Sequence, residues 1–142
     1  MNPAFRDKVK PLAPGAFEEM SRAAEAVIEN VRGMFLSEAR SDLDRMRVLL
    51  GGAASARPAG WQDDAYRIAH NLKGQGSTFG YDLVTRIAHA LCGHLRTESD
   101  TSARDKKALA HCESLRVILD KDIRGMGDEY GARLLQILGI TA

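Results

Sequence analysis

The segment from Ala69 to Tyr81 reads AHNLKGQGSTFGY and holds the residue types best suited to chemistry. On a helix at about 100° per residue, Trp61, Ala65, Ile68, Ala69, Leu72 and Gly76 share an arc of about 100°, a normal buried stripe. His70 lies roughly 150° from the middle of that arc, which predicts a solvent-facing imidazole in the middle of a helix. Tyr66 stands one turn before it, Lys73 three residues after it and Gly74 one turn after it. Residues at these spacings are neighbours on a helix surface. A glycine inside a helix costs about 0.5–1 kcal/mol relative to alanine, so its presence beside an exposed histidine calls for a reason. It removes side-chain bulk where another protein would have to approach. Lysine adds a positive charge within reach of the ring. A surface histidine by itself is ordinarily only that, Lys73 alone is a common helix-former, and Gly74 alone could serve close helix packing. Together they suit a nitrogen nucleophile that accepts a phosphoryl group from a docking protein.

His70-x-x-Lys73-Gly74, with Gly80 ten residues after the histidine, resembles the signature of histidine-containing phosphotransfer domains. The run through Thr78-Phe79-Gly80-Tyr81 looks especially like the phosphotransfer domain at the start of chemotaxis histidine kinases. The likeness covers a core from about Phe35 to Leu119. It implies that His70 is the phosphorylated residue, that Lys73 helps neutralise the phosphoryl group, and that Gly74 leaves room for a receiver domain. Gly80 would serve the turn into the next helix, and Tyr66, Arg67, Ser77, Gly80 and His89 would form the rim and docking face. In the chemotaxis kinases a second histidine lies nineteen positions after the first, where this chain has His89, and a glutamate follows three residues later. Here that place is taken by Cys92. The departure bears on whether a chemotaxis-type kinase domain phosphorylates His70. It leaves the general phosphorelay role intact.

The elements that must position these residues read as helices. The first fourteen residues hold Pro3, Pro11 and Pro14 and form an irregular lead-in. From Ala16 a helical pattern runs through Phe17, Met20, Ala24, Val27, Ile28 and Val31, and then through Phe35, Ala39, Leu43, Met46 and Leu50. Gly33 interrupts it weakly, so one bent helix or two consecutive ones fit. Gly51 to Gly60 is a loop. A second helix starts near Trp61, with Asp63 and Asp64 in its first turn at the positive end of the helix dipole. Gly74, Gly76 and Gly80 weaken and end it. A third runs from Asp82 to Leu95, and polar residues Thr97 to Ser102 turn into a fourth with Ala108, Cys112, Leu115 and Leu119 as its stripe. Gly125 and Gly127 close that helix, and Asp128 to Leu138 forms a short last one. The expected fold is all-α: one domain over residues 1–142, an antiparallel four-helix bundle with an additional N-terminal helical segment and a short C-terminal helix.

Bulk properties narrow the function. At 142 residues, with 20 Lys plus Arg against 19 Asp plus Glu and a net charge of +1, the chain offers no electrostatic case for nucleic acid or an anionic membrane. No stretch approaches the ~20 apolar residues of a membrane span, and residues 1–12 lack the apolar core of a signal peptide. A cytoplasmic location follows, with Cys92 and Cys112 as free buried thiols. His94 and His111 read as ordinary, and Arg104-Asp105-Lys106-Lys107 as a solvated helix start. His89, Cys92 and His94 lack the ligand number and spacing of zinc motifs, so no metal or cofactor is expected. There is no Gly-x-x-x-x-Gly-Lys-[Ser/Thr] loop and hence no ATP site. The resemblance therefore implies a monomeric carrier rather than an enzyme, free-standing or part of a histidine kinase. Its partners would be a kinase and response-regulator receivers that supply the Mg²⁺. A helical-bundle adaptor that binds a signalling partner without phosphoryl transfer is the alternative.

Overall fold

The computed structural model describes residues 13–96 and 101–141, and all of its regular elements are helical. They are α1 (Ala16–Gly51), α2 (Trp61–Gln75), α3 (Asp82–Arg96), α4 (Thr101–Asp120) and α5 (Asp128–Ile137), with short 3-10 turns at Ala54–Ala56 and Ser77–Phe79. The chain divides into two units, one extending to Phe35 and one beginning at Leu36. Helix α1 runs without a break past Gly33: one glycine costs about 1 kcal/mol, which the good helix-formers around it absorb. Of the irregular lead-in expected over residues 1–14, residues 1–12 lie outside the described residues, and Ala13 and Pro14 precede α1 without helical structure.

In the second unit the apolar positions expected on each helix are buried together. Leu43 and Met46 of α1 meet Ile68 and Leu72 of α2, Leu83, Ile87, Leu91 and Leu95 of α3, and Leu115, Ile118 and Leu119 of α4 in one core. Helices α2 and α3 form an antiparallel hairpin: Gln62 near the start of α2 donates to the Leu95 carbonyl at the end of α3, while Thr85 near the start of α3 donates to the Lys73 carbonyl. Helix α4 runs antiparallel to the Leu36–Gly51 part of α1. Arg40 pairs with Asp120 at 3.0 Å, and Arg47 with Glu113 at 2.7 Å. Such exposed pairs contribute about 0–1 kcal/mol each and serve register more than stability.

The charge run at the start of α4 departs from the expected solvated face. Lys106 and Lys107 are exposed, but Arg104 is buried and Asp105 half-buried. Arg57 from the α1–α2 connection meets Asp105 at 2.8 Å, Arg104 meets it at 3.1 Å, and both guanidinium groups lie over the Trp61 ring. Arg104 falls one turn before Ala108 on the inward stripe, so helical periodicity outweighs polarity here.

His111, read as ordinary from sequence, is buried too. Its Nδ1–H donates to the Lys107 carbonyl at 2.6 Å, its Nε2 finds no partner among the described residues, and its ring meets His94 edge-on at 4.8 Å. Burial holds its pKa below the ordinary 6.5, with the charges of His94 and Lys107 acting the same way against the carbonyl bond. His94 is lowered by burial and by Lys107. In the unfolded chain both rings protonate near 6.5 while the folded chain resists, so the native state is favoured above that pH and loses stability as pH falls below it. The urea midpoint should be lower at about pH 5.5 than at about pH 8, and His111→Leu should flatten that dependence. An unchanged slope in the variant would show that other groups set it.

Candidate functional site

The site is built on α2, whose inward face is Ala65, Ile68, Ala69 and Leu72, all buried. Trp61 is half-buried and Gly76 buried, so the stripe read from the sequence holds along the helix. Asp63 and Asp64 occupy the first turn as expected. His70 therefore faces solvent, in mid-helix.

Tyr66 stacks on the imidazole, with ring centroids 5.9 Å apart and 20° between planes. From the far end of α3, Arg96 places its guanidinium 4.6 Å from the Tyr66 ring centre and donates a hydrogen bond to the Tyr66 hydroxyl. Arg96 was not expected from the sequence, although the antiparallel hairpin carries the signal: the end of α3 must return beside the start of α2. The stack limits the rotation of His70, and the arginine limits that of Tyr66.

Lys73 is half-buried beside this group. With Arg96 it acts on Cys92, whose thiol pKa is raised by burial and drawn back by both cations. Cys92 is thus a buried neutral thiol. Cys112, also free, is pushed up to about 12, chiefly by burial. At Gly74 a Cβ would meet nothing within 4 Å, so the helix presents bare backbone to solvent one turn from His70.

The turn after α2 fixes the end of the site helix. Ser77, expected on the rim, is exposed but tied inward: its backbone N–H donates to Thr85 Oγ1 at 2.9 Å, and the two hydroxyls lie 3.1 Å apart. Gly80 adopts φ +89°, a left-handed conformation that disfavours side chains. Its carbonyl accepts from Gly125 N–H at 2.7 Å, and Gly125 in turn accepts from Leu83 N–H at 2.8 Å. The buried Tyr81 donates to Asp122 at 2.6 Å, clamping this turn to the α4–α5 connection. Arg67 is exposed and paired with Asp64 at 2.9 Å. His89 is exposed on α3 and is not part of the stack on His70. Among the described residues, no three His, Cys, Asp or Glu side chains gather where they could hold a metal ion.

A family model for the Hpt domain matches residues 30–125. The chain belongs to the Hpt domain family. Comparison with curated proteins and with solved structures gave no significant match. The matched residues include all of α2, α3 and α4 and the α1 positions from Ala39 to Leu50 that line the core of the second unit. Hpt domains act in histidine phosphotransfer within phosphorelays and carry no ATP-binding catalytic site of their own. Among the described residues no helix is long and apolar enough to cross a membrane.

Proposed function

We propose that this Hpt domain carries a phosphoryl group on His70, taking it from a kinase or a receiver aspartyl phosphate and passing it to a receiver aspartate in the cytoplasm. The observation that carries the reading is the exposed, Tyr66-stacked imidazole one turn from the open backbone of Gly74. In the forward step a lone pair on a ring nitrogen attacks phosphorus, an N–P bond forms, and the P–O bond to the donor breaks. With an aspartyl phosphate donor the carboxylate departs with that electron pair; onward transfer reverses the roles. The chain supplies the nucleophile, its orientation and a docking face. We assign to the receiver the Mg²⁺ and most of the charge stabilisation that phosphoryl transfer requires. Incubation with a set of phosphorylated receivers should give label that is acid-labile and base-stable, as a phosphoramidate is. Binding to receivers without any label would favour the adaptor reading instead.

Lys73 has a local role in this scheme. A partly exposed ammonium facing a phosphoryl group contributes about 1 kcal/mol or less. Lys73→Ala should slow transfer or shorten the phosphohistidine lifetime several-fold without unfolding the bundle. Lys106→Ala, an exposed lysine on α4, is the control. Equal effects from both would mean that net charge governs docking.

A further inference from the structure

The unit extending to Phe35 carries an apolar stripe that phosphoryl transfer does not use. Phe17, Met20, Ala24, Val27, Val31 and Met34 follow one another at steps of three and four residues in strict alternation. That is the a/d spacing of a heptad repeat, with a period of 3.5 residues rather than 3.6. It keeps one seam turned toward a partner helix as the two wind together. Yet all six side chains are exposed, Phe17 to 66%, Val27 to 60% and Met34 to 71%. Ile28, also exposed, widens the stripe on one side. Patches of this extent on a soluble chain mark contacts.

We propose that this seam joins two copies of the chain, paired antiparallel along residues 17–34. At roughly 100 Å² for each exposed large side chain, Phe17, Met20, Val27, Ile28, Val31 and Met34 offer about 600 Å² per copy, near the ~800 Å² per partner of a standard interface. Ser21, Ala23 and Asn30, which flank the seam, are uncharged, so nothing repels a second identical helix. Antiparallel pairing sets Phe17 against Met34, Met20 against Val31 and Ala24 against Val27 of the second copy. Parallel pairing would instead set Ala24 against Ala24 and leave the middle of the seam underfilled. The carrier then works as a pair, not as the monomer expected from the sequence, and each copy keeps its own His70.

Light scattering on the full chain over a concentration series tests this. The expected mass is twice the 15.5 kDa of one chain. Met20→Glu and Val27→Glu should each return it to one chain with helical circular dichroism retained, while Ile137→Glu, an exposed site on α5, should leave it doubled. Because Cys92 and Cys112 are buried, Phe17→Cys reports orientation: antiparallel copies should not cross-link through it on oxidation. A single-chain mass at every concentration would overturn the proposal, as would a doubled mass surviving both seam variants or ready Phe17→Cys cross-linking. A wild-type monomer that associates only when a receiver or kinase is added would give the seam to that partner. One that pairs only after removal of residues 1–12 would give it to those residues, and either result overturns the second copy as occupant.

Discussion

His70→Gln should abolish phosphoryl uptake and leave the bundle folded. The two halves of that expectation come from different features. Uptake fails because glutamine has no ring nitrogen lone pair to form the N–P bond, and because the other histidines do not share the setting of His70: His111 is buried, the His94 ring packs against it, and His89, though exposed, has the buried Cys92 rather than a lysine three residues on. The fold survives because His70 is exposed, and its one described ring contact, the stack on Tyr66, is worth about 0.5–1.5 kcal/mol at most. The check is radiolabel from a phosphorylated receiver, read with the urea midpoint of the same variant. Label retained in acid-labile, base-stable form would move the acceptor to another residue. A loss of several kcal/mol of unfolding free energy in the urea curve would mean that the imidazole supports the fold.

The second large effect separates two glycines only two residues apart. At Gly76 a Cβ would lie 2.6 Å from Thr85 Oγ1, 2.9 Å from Thr85 N and 3.0 Å from Tyr81 O. Two of these are backbone atoms and cannot swing aside, and Thr85 Oγ1 is the atom that ties Ser77 and Lys73 to α3. Gly76→Ala should therefore force α2 and α3 apart at the turn and cost about 3 kcal/mol, the upper part of the range for overpacking. Gly74 has open space and an ordinary helical backbone. Gly74→Ala should gain up to about 1 kcal/mol from helix propensity. Gly74→Gln should stay folded but slow transfer by roughly 100-fold, since a side chain one turn from His70 would displace the approaching receiver from reacting distance. Denaturation curves and single-turnover transfer from one phosphorylated receiver separate the outcomes. A destabilised Gly74→Ala, or a Gly74→Gln that transfers at the wild-type rate, would show that Gly74 serves helix packing rather than access.

Much of this organisation was legible in the sequence because helices are local. A repeat of 3.6 residues is written along the chain itself, so the stripes of α2 and α3 and the outward direction of His70 could be read from spacing alone. The His70, Lys73 and Gly74 grouping was legible for the same reason, since neighbours three and four residues apart stay neighbours in any helix, whereas the place of Gly80, ten residues on and beyond the helix, rested on the family resemblance. The stripe from Phe17 to Val31 was visible as helical apolar periodicity, but periodicity does not distinguish a covered stripe from a bare one. Only the structure shows it exposed.

What depends on residues distant in the chain was decided by tertiary structure. Arg96 reaches Tyr66 because the α2–α3 hairpin folds back on itself, and no local pattern marks that contact. Gly74 and Gly76 look alike as letters, yet one faces solvent and the other the backbone of α3. Arg104 and Asp105 read as surface charges because charge argues for water. They are taken inside because Arg57 and Trp61, more than forty residues earlier, supply the opposite charge and the aromatic face that make burial tolerable. Sequence determines which residues share a face of their own helix. The packing of helices decides what that face meets, because a charge or a glycine is costly or useful only against the atoms brought to it.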